Sequence, residues 1–355
     1  MSESEILFDV KDGLGVITLN RPKALNALTH GMMLEMEKVI PGWERDPGVK
    51  AVILRGAGDR AFSAGGDVAG LYREMRDNPS GTLRRDFFRD EYIINRRIYR
   101  YAKPWISLID GIDMGGGVGL SAHGSHSVAS EKFLFAMPET TIGLFPDVGG
   151  GYFLTRLPGA LGTFLALTSH RLKAADALWA GIVDAYVPSA KMEDLQAALG
   201  AADLSGPDAS RKVDAVIAGF SEHPGPATLP AMMADIDRCF SAESVAEVIG
   251  KLRKHPGEWA QKQLAALMKL SPLSMAITLE QLRRCANRSF EDTMTIEYRM
   301  SQRCMQAGHD FFEGVRALLI DKDQKPTWNP PTIEGVTREM VEEHFRPVAN
   351  DLFFD

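Results

Sequence analysis

The 355-residue chain is poor in the groups that usually announce a metal or redox protein. It has three cysteines, Cys239, Cys285 and Cys304, an odd number with no CxxC pair. Such thiols read as core residues in a reducing compartment rather than as a disulfide framework. Among the histidines, His123 and His126 stand three apart, with no third ligand at a convincing spacing, so no metal is expected. No G-x-S-x-G elbow surrounds Ser63, Ser121 or Ser125, which argues against a serine triad. No apolar run approaches the roughly 18 residues of a membrane span. The N-terminus, Met-Ser-Glu-Ser-Glu, lacks a basic region followed by an apolar one and is acidic for a transit peptide, so the expected location is cytoplasmic. A formal net charge of −7 argues against a nucleic-acid surface. It leaves room for a small anion, which needs only a few local cations and helix N-termini.

What is present is ordinary in bulk and specific in detail. Hydrophobic residues make up 45% and charged ones 25%, values of a soluble globular chain, and the length suits about two domains. Ile6 to Val10 and Gly15 to Leu19 read as a hairpin turning at Asp12-Gly13. Thr29 caps a helix expected to fade near Pro41. Ala51 to Arg55 and Trp105 to Ile109 are short β-rich runs, and Arg84 to Arg100 reads as a helix with one buried and one solvated basic face. Composition shifts after Pro188, and beyond a Pro/Gly/Ser/Asp-rich stretch the chain reads as mostly helical. The expected division is therefore an α/β region over 1–205 and a mainly helical region over 206–355, without internal repeats.

Two glycine turns follow the two strands: Ala64-Gly65-Gly66-Asp67 and Gly115-Gly116-Gly117-Val118-Gly119. In α/β folds ligands sit at the carboxyl ends of strands, so both turns are where a site belongs. Backbone that approaches a ligand this closely can present N–H groups to a developing oxyanion. Gly117 to Ala122 also fits the dinucleotide fingerprint G-x-G-x-x-A. That reading is the weaker one, because the motif lies outside the first βαβ unit and leaves room for only two or three helical turns before Ser127. Glu139 and Asp147, eight apart, sit among Phe, Met, Ile, Leu and Val. Apolar surroundings raise carboxyl pKa values, which is how such groups become acids and bases near neutrality. Their bland readings, a helix-start glutamate and a Pro-Asp turn, stay open on these residues alone.

Four stretches in order resemble the crotonase (enoyl-CoA hydratase/isomerase) superfamily: Leu19 to Leu28, Ala61 to Asp67, Asp110 to Gly119 and Met137 to Pro146. The resemblance implies a spiral of ββα units binding an acyl-CoA thioester, followed here by the helical region, which would cover the acyl pocket. It implies backbone N–H groups of Gly66 and Gly116 as the oxyanion hole, with Ala64, Gly65, Asp67 and Gly115 lining the substrate. Lys23 would lie near the adenine end of CoA, with Lys322 reaching the same region. Hydratases of the superfamily have a first glutamate where this chain has Gly119; the second corresponds to Glu139, and Asp147 is gained. The Glu139/Asp147 pair, Phe290 to Met294, and Phe312 to Asp323 with Pro326 and Trp328 resemble the 3-hydroxyisobutyryl-CoA hydrolase subfamily.

That resemblance implies hydrolysis of 3-hydroxyisobutyryl-CoA, an intermediate of valine breakdown, with Glu139 and Asp147 catalytic. It needs no cofactor beyond the CoA of the substrate, no metal, no nucleic acid and no membrane. A homo-oligomer, a trimer or a dimer of trimers, would fit the superfamily. Two other readings stay open: an isomerase or lyase using one acid as a proton shuttle, and a non-catalytic acyl-CoA-binding module.

Overall fold

The computed structural model describes residues 4–354; Met1 to Glu3, the first part of the acidic N-terminal stretch, and Asp355 lie outside the described residues. The hairpin forms as its sequence demands. Strand β1 (Ile6–Lys11) pairs antiparallel with β2 (Leu14–Leu19), and Asp12 and Gly13 both adopt positive φ, the geometry that matches the twist of a two-residue turn. From β2 onward the sheet that this hairpin opens is paired in parallel.

The next six strands alternate between two sheets, which is the spiral implied by the motifs. Strands β3 (Ala51–Gly56), β5 (Trp105–Ile109) and β7 (His126–Ala129) enter a six-stranded sheet of order β1-β2-β3-β5-β7-β9, closed by β9 (Ala185–Tyr186). Strands β4 (Ala61–Ser63), β6 (Ile112–Met114) and β8 (Leu134–Ala136) form the second sheet. Every β3, β5 and β7 residue except Arg55 and Gly56 is buried, as expected of parallel strands covered on both faces. One face packs on helices Met192–Ala201 and Ala209–Phe220 through Val16, Ile53, Ile106, Leu108, Leu195 and Val213.

The chain divides into two compact units, each of three stretches: 1–66, 93–135 and 172–228 in one, and 67–92, 136–171 and 229–355 in the other. The units therefore do not follow a single cut of the sequence near residue 205. After Tyr186 the named elements are all helices, in keeping with the helical character expected there. In the second unit, helices Pro272–Cys285 and Phe290–Cys304 begin on Ser271 and Ser289, whose hydroxyls accept the N–H groups of Ser274 and Asp292. Pro272 sits at the first helical position, where its missing N–H costs nothing. No described helix is long and apolar enough to cross a membrane.

Candidate active site

In the first unit, the stretch Leu19 to Leu28 builds the support of the first glycine turn. Leu25 and Asn26 take left-handed backbone, and the buried Asn26 side chain spends its amide on the carbonyls of Ala57 and Ala61 at 2.9 and 2.8 Å. Its oxygen accepts the Arg21 N–H. The Ser63 hydroxyl donates to the Asn26 carbonyl and accepts the Gly65 N–H, while the N–H groups of Ala64 and Leu28 bond to Leu25 and Gly65 carbonyls. Gly65 has φ +101°, and a Cβ there would lie 3.1 Å from the Met114 carbonyl and 3.4 Å from the Gly116 nitrogen. Only glycine lets the two turns approach so closely. Gly116 opens the helix Gly116–Ser121, where a first-turn N–H has no partner within the helix. Among the described residues no acceptor meets the N–H of Gly66 or Gly116. Gly117 packs against Ser63 and Asp113, which leaves no room for a side chain. The helix is shorter than the two or three turns expected, and no nucleotide fingerprint geometry follows from it.

The second unit holds the carboxylates. Glu139 and Asp147 are both buried, each 4% exposed, and so is Glu91 at 2% and Glu297 at 0%. Asp147 accepts the Tyr92 hydroxyl at 2.8 Å. One oxygen of Glu139 and one of Glu91 have no hydrogen-bond partner. Burial pushes Glu139 and Glu91 well above the usual carboxylate range, and the charge of Asp147 adds to both. Burial also pushes Asp147 up to about 7, against the pull of the Tyr92 hydroxyl. Burial, with the charges of neighbouring acids adding to it at Glu139, Glu91 and Glu297, favours the protonated forms of these groups toward neutrality. Such a shift toward neutrality is what acid–base chemistry would require of these groups.

The tail motif explains itself in this unit. Gly314 lies so close to Ile142 that a Cβ would sit 2.5 Å from its backbone, so Asp310–Val315 packs directly on the turn Glu139–Ile142. Arg316 gathers Glu313, Asp321 and Asp323, which accounts for the Ile-Asp-Lys-Asp ending. Lys322 stands exposed on that loop at φ +57°, and Lys23 is exposed in the turn Pro22–Ala24. Neither lysine forms an ion pair among the described residues. Asp67 caps the helix Val68–Asp77 through the Gly70 N–H, a structural duty sufficient to explain its place after the glycines.

Sequence reading missed Glu91, Tyr92, Gln281 and Glu297. Glu91 and Tyr92 lie in the arginine-rich helix Leu83–Tyr99, whose basic face masked them. Glu297 stands three residues beyond the stretch Phe290 to Met294, between buried Met294 and Tyr298. A charged residue at a core position of an apolar helix face was the available signal. The expected-core Cys304 lies near His309 and His344, with ligand atoms within 4.8 Å of one another. His309 accepts the Phe311 N–H at Nδ1, so its Nε2 carries the proton donated to His344 Nε2 at 3.0 Å. Both ring nitrogens of His309 are thus already used.

The profile of the family described as enoyl-CoA hydratase/isomerase matches residues 14–345. A curated relative from Gallus gallus, "3-hydroxyisobutyryl-CoA hydrolase, mitochondrial", is 46% identical over 354 residues, 99% of this chain and 91% of its own length. The word mitochondrial in its name lends no support to the cytoplasmic expectation. A solved structure titled as a carnitinyl-CoA dehydratase from Mycobacterium thermoresistibile superposes with a TM-score of 0.92 at 41% identity, covering 99% of both chains. Another, titled as an enoyl-CoA hydratase from Rhodobacter sphaeroides, gives 0.89 at 39% identity over 97% of this chain and 98% of that one. With its strands alternating between two sheets, its glycine turns and its matched profile, the chain belongs to the enoyl-CoA hydratase/isomerase family.

Proposed function

We propose that this protein hydrolyses a short, branched, hydroxylated acyl-CoA thioester, 3-hydroxyisobutyryl-CoA, to the free acid and CoA. The observation that carries the reading is the buried Glu139/Asp147 pair, held in one unit with Phe312 to Asp323, the stretch that resembles the hydrolase subfamily, beside 46% identity to a curated hydrolase. The N–H groups of Gly66 and Gly116 would receive the thioester oxygen as charge develops on it, an effect worth roughly 3–4 kcal/mol per donor. Glu139 attacks the carbonyl carbon, or takes a proton from the water that does. The C–S bond then breaks, and Asp147 gives its proton to the departing thiolate. Water supplies the second oxygen of the product carboxylate, and one proton is released. The reactive form has Glu139 ionised and Asp147 protonated, the minor of the two one-proton arrangements, since burial raises Glu139 further and the Tyr92 hydroxyl favours ionised Asp147.

Asp147 also orients the substrate hydroxyl, and Lys23 and Lys322 would meet the CoA phosphates. Ala64, Gly65, Asp67 and Gly115 complete the substrate contacts, and the helical region after residue 205 covers the acyl group. Assembly as a homo-oligomer belongs to the same reading and is measured by light scattering. A second reading, proton transfer at the α-carbon with loss or addition of water, is favoured by the dehydratase and hydratase titles of the two structural relatives. Gly119, where the hydratases' first glutamate stands, speaks against it. Mass spectrometry of the products separates the two. Free acid and CoA support hydrolysis; a CoA ester of unchanged mass or one lighter by a water overturns it.

A further inference from the structure

The turn that carries Asp147 is not stable on its own terms. Val148 has φ +51° and Gly149 φ +84°, so two successive residues take left-handed backbone, one of them β-branched. Such a turn directs its N–H groups inward as a cradle for an anion. Glu297 fills it: one carboxylate oxygen accepts the Gly149 N–H at 2.7 Å and the other the Gly151 N–H at 2.8 Å. Gln281 donates from one nitrogen to the Pro146 carbonyl at 2.7 Å and to Glu297 at 2.9 Å. Gly150 closes the turn on the Asp147 carbonyl at 2.7 Å. All of these groups belong to the same compact unit.

We propose that Glu297 is a positioning residue for the reaction, its carboxylate clamping the Gly149 and Gly151 N–H groups so that Asp147 stays against the Tyr92 hydroxyl. The three N–H donors around Glu297 offer no acceptor for a carboxyl proton, so this geometry binds the ionised acid. Burial pushes the group up to about 8, and the two glycine N–H groups work against that rise. A fixed charge here also adds to the field on Glu139. Glu297 touches neither reacting atom nor substrate in this scheme.

The proposal rests on the hydrolase reading, and its test keeps the two apart. Glu297→Gln replaces one acceptor oxygen with a second donor facing a backbone N–H. It should lower kcat for CoA release at least tenfold, change KM less than threefold and move the limbs of the pH–rate profile to lower pH. Glu297→Asp keeps a shorter carboxylate and should recover part of kcat relative to Glu297→Gln. Full kcat with an unshifted pH profile in folded Glu297→Gln overturns the role; if that variant cannot be isolated folded, full kcat in Glu297→Asp does so. Absence of CoA release by the unaltered protein would defeat the hydrolase reading instead. The clamp would then be judged by hydrogen–deuterium exchange of the 146–152 peptide, where unchanged protection in the variant overturns it.

Discussion

Glu139 is an expensive residue to bury, with one oxygen unpartnered and a second acid raising its pKa further. Folding accepts that cost only where the group is put to use. Glu139→Gln keeps the volume and removes the charge; it should cut thioester hydrolysis by roughly 10²–10⁴-fold, while CoA binding by calorimetry stays nearly unchanged. Near-wild-type hydrolysis would remove Glu139 from the reaction. Tyr92 donates to Asp147 and favours its ionised form. Tyr92→Phe should therefore shift the Asp147 limb of the pH–rate profile to higher pH, and a downward shift would contradict the assignment. Glu139 and Asp147 stood out as candidates because they are acids embedded among apolar residues along the chain, and the fold buries both. Glu91 and Tyr92 did not stand out, since they share a helix with arginines and only the fold turns their face inward.

Among the elements, the turns matter more than the helices. Asn26 joins three segments through its side chain, and Asn26→Ala would leave the carbonyls of Ala57 and Ala61 without that partner, a loss of about 1–3 kcal/mol. Thermal melting should fall accordingly, and kcat should fall with it because the Ala64–Gly66 turn hangs from the same loop. An unchanged melting temperature would contradict this role. Local signals foretold the hairpin and the Thr29 cap, each settled by a few neighbouring residues. The helix expected to fade at Pro41 instead runs to Arg45, because burial of Ile40 and Trp43 on either side outweighs the proline. The composition of the two units was not legible, since each is assembled from three separated stretches and no local composition records which stretches will pack together.

For the molecule as a whole, buried acids set the pH dependence of stability. Asp147 is pushed to about 7 and, in the first unit, Asp113 to about 7. Each binds its proton more tightly folded than unfolded. Their contribution is therefore fully present below the ordinary carboxylate pKa of about 4 and is lost as pH rises through about 7. The melting temperature should fall between pH 5 and pH 8.5, and Asp147→Asn should flatten that fall; a rise over the same range would contradict the burial of these acids as the controlling feature. The central claim is tested most directly by CoA-thiol release from 3-hydroxyisobutyryl-CoA, with crotonyl-CoA and acetyl-CoA alongside. Hydrolysis through a buried acid pair predicts rapid release selective for the hydroxylated substrate. No thiol release from any of the three would contradict it and leave proton transfer at the α-carbon as the chemistry of this fold.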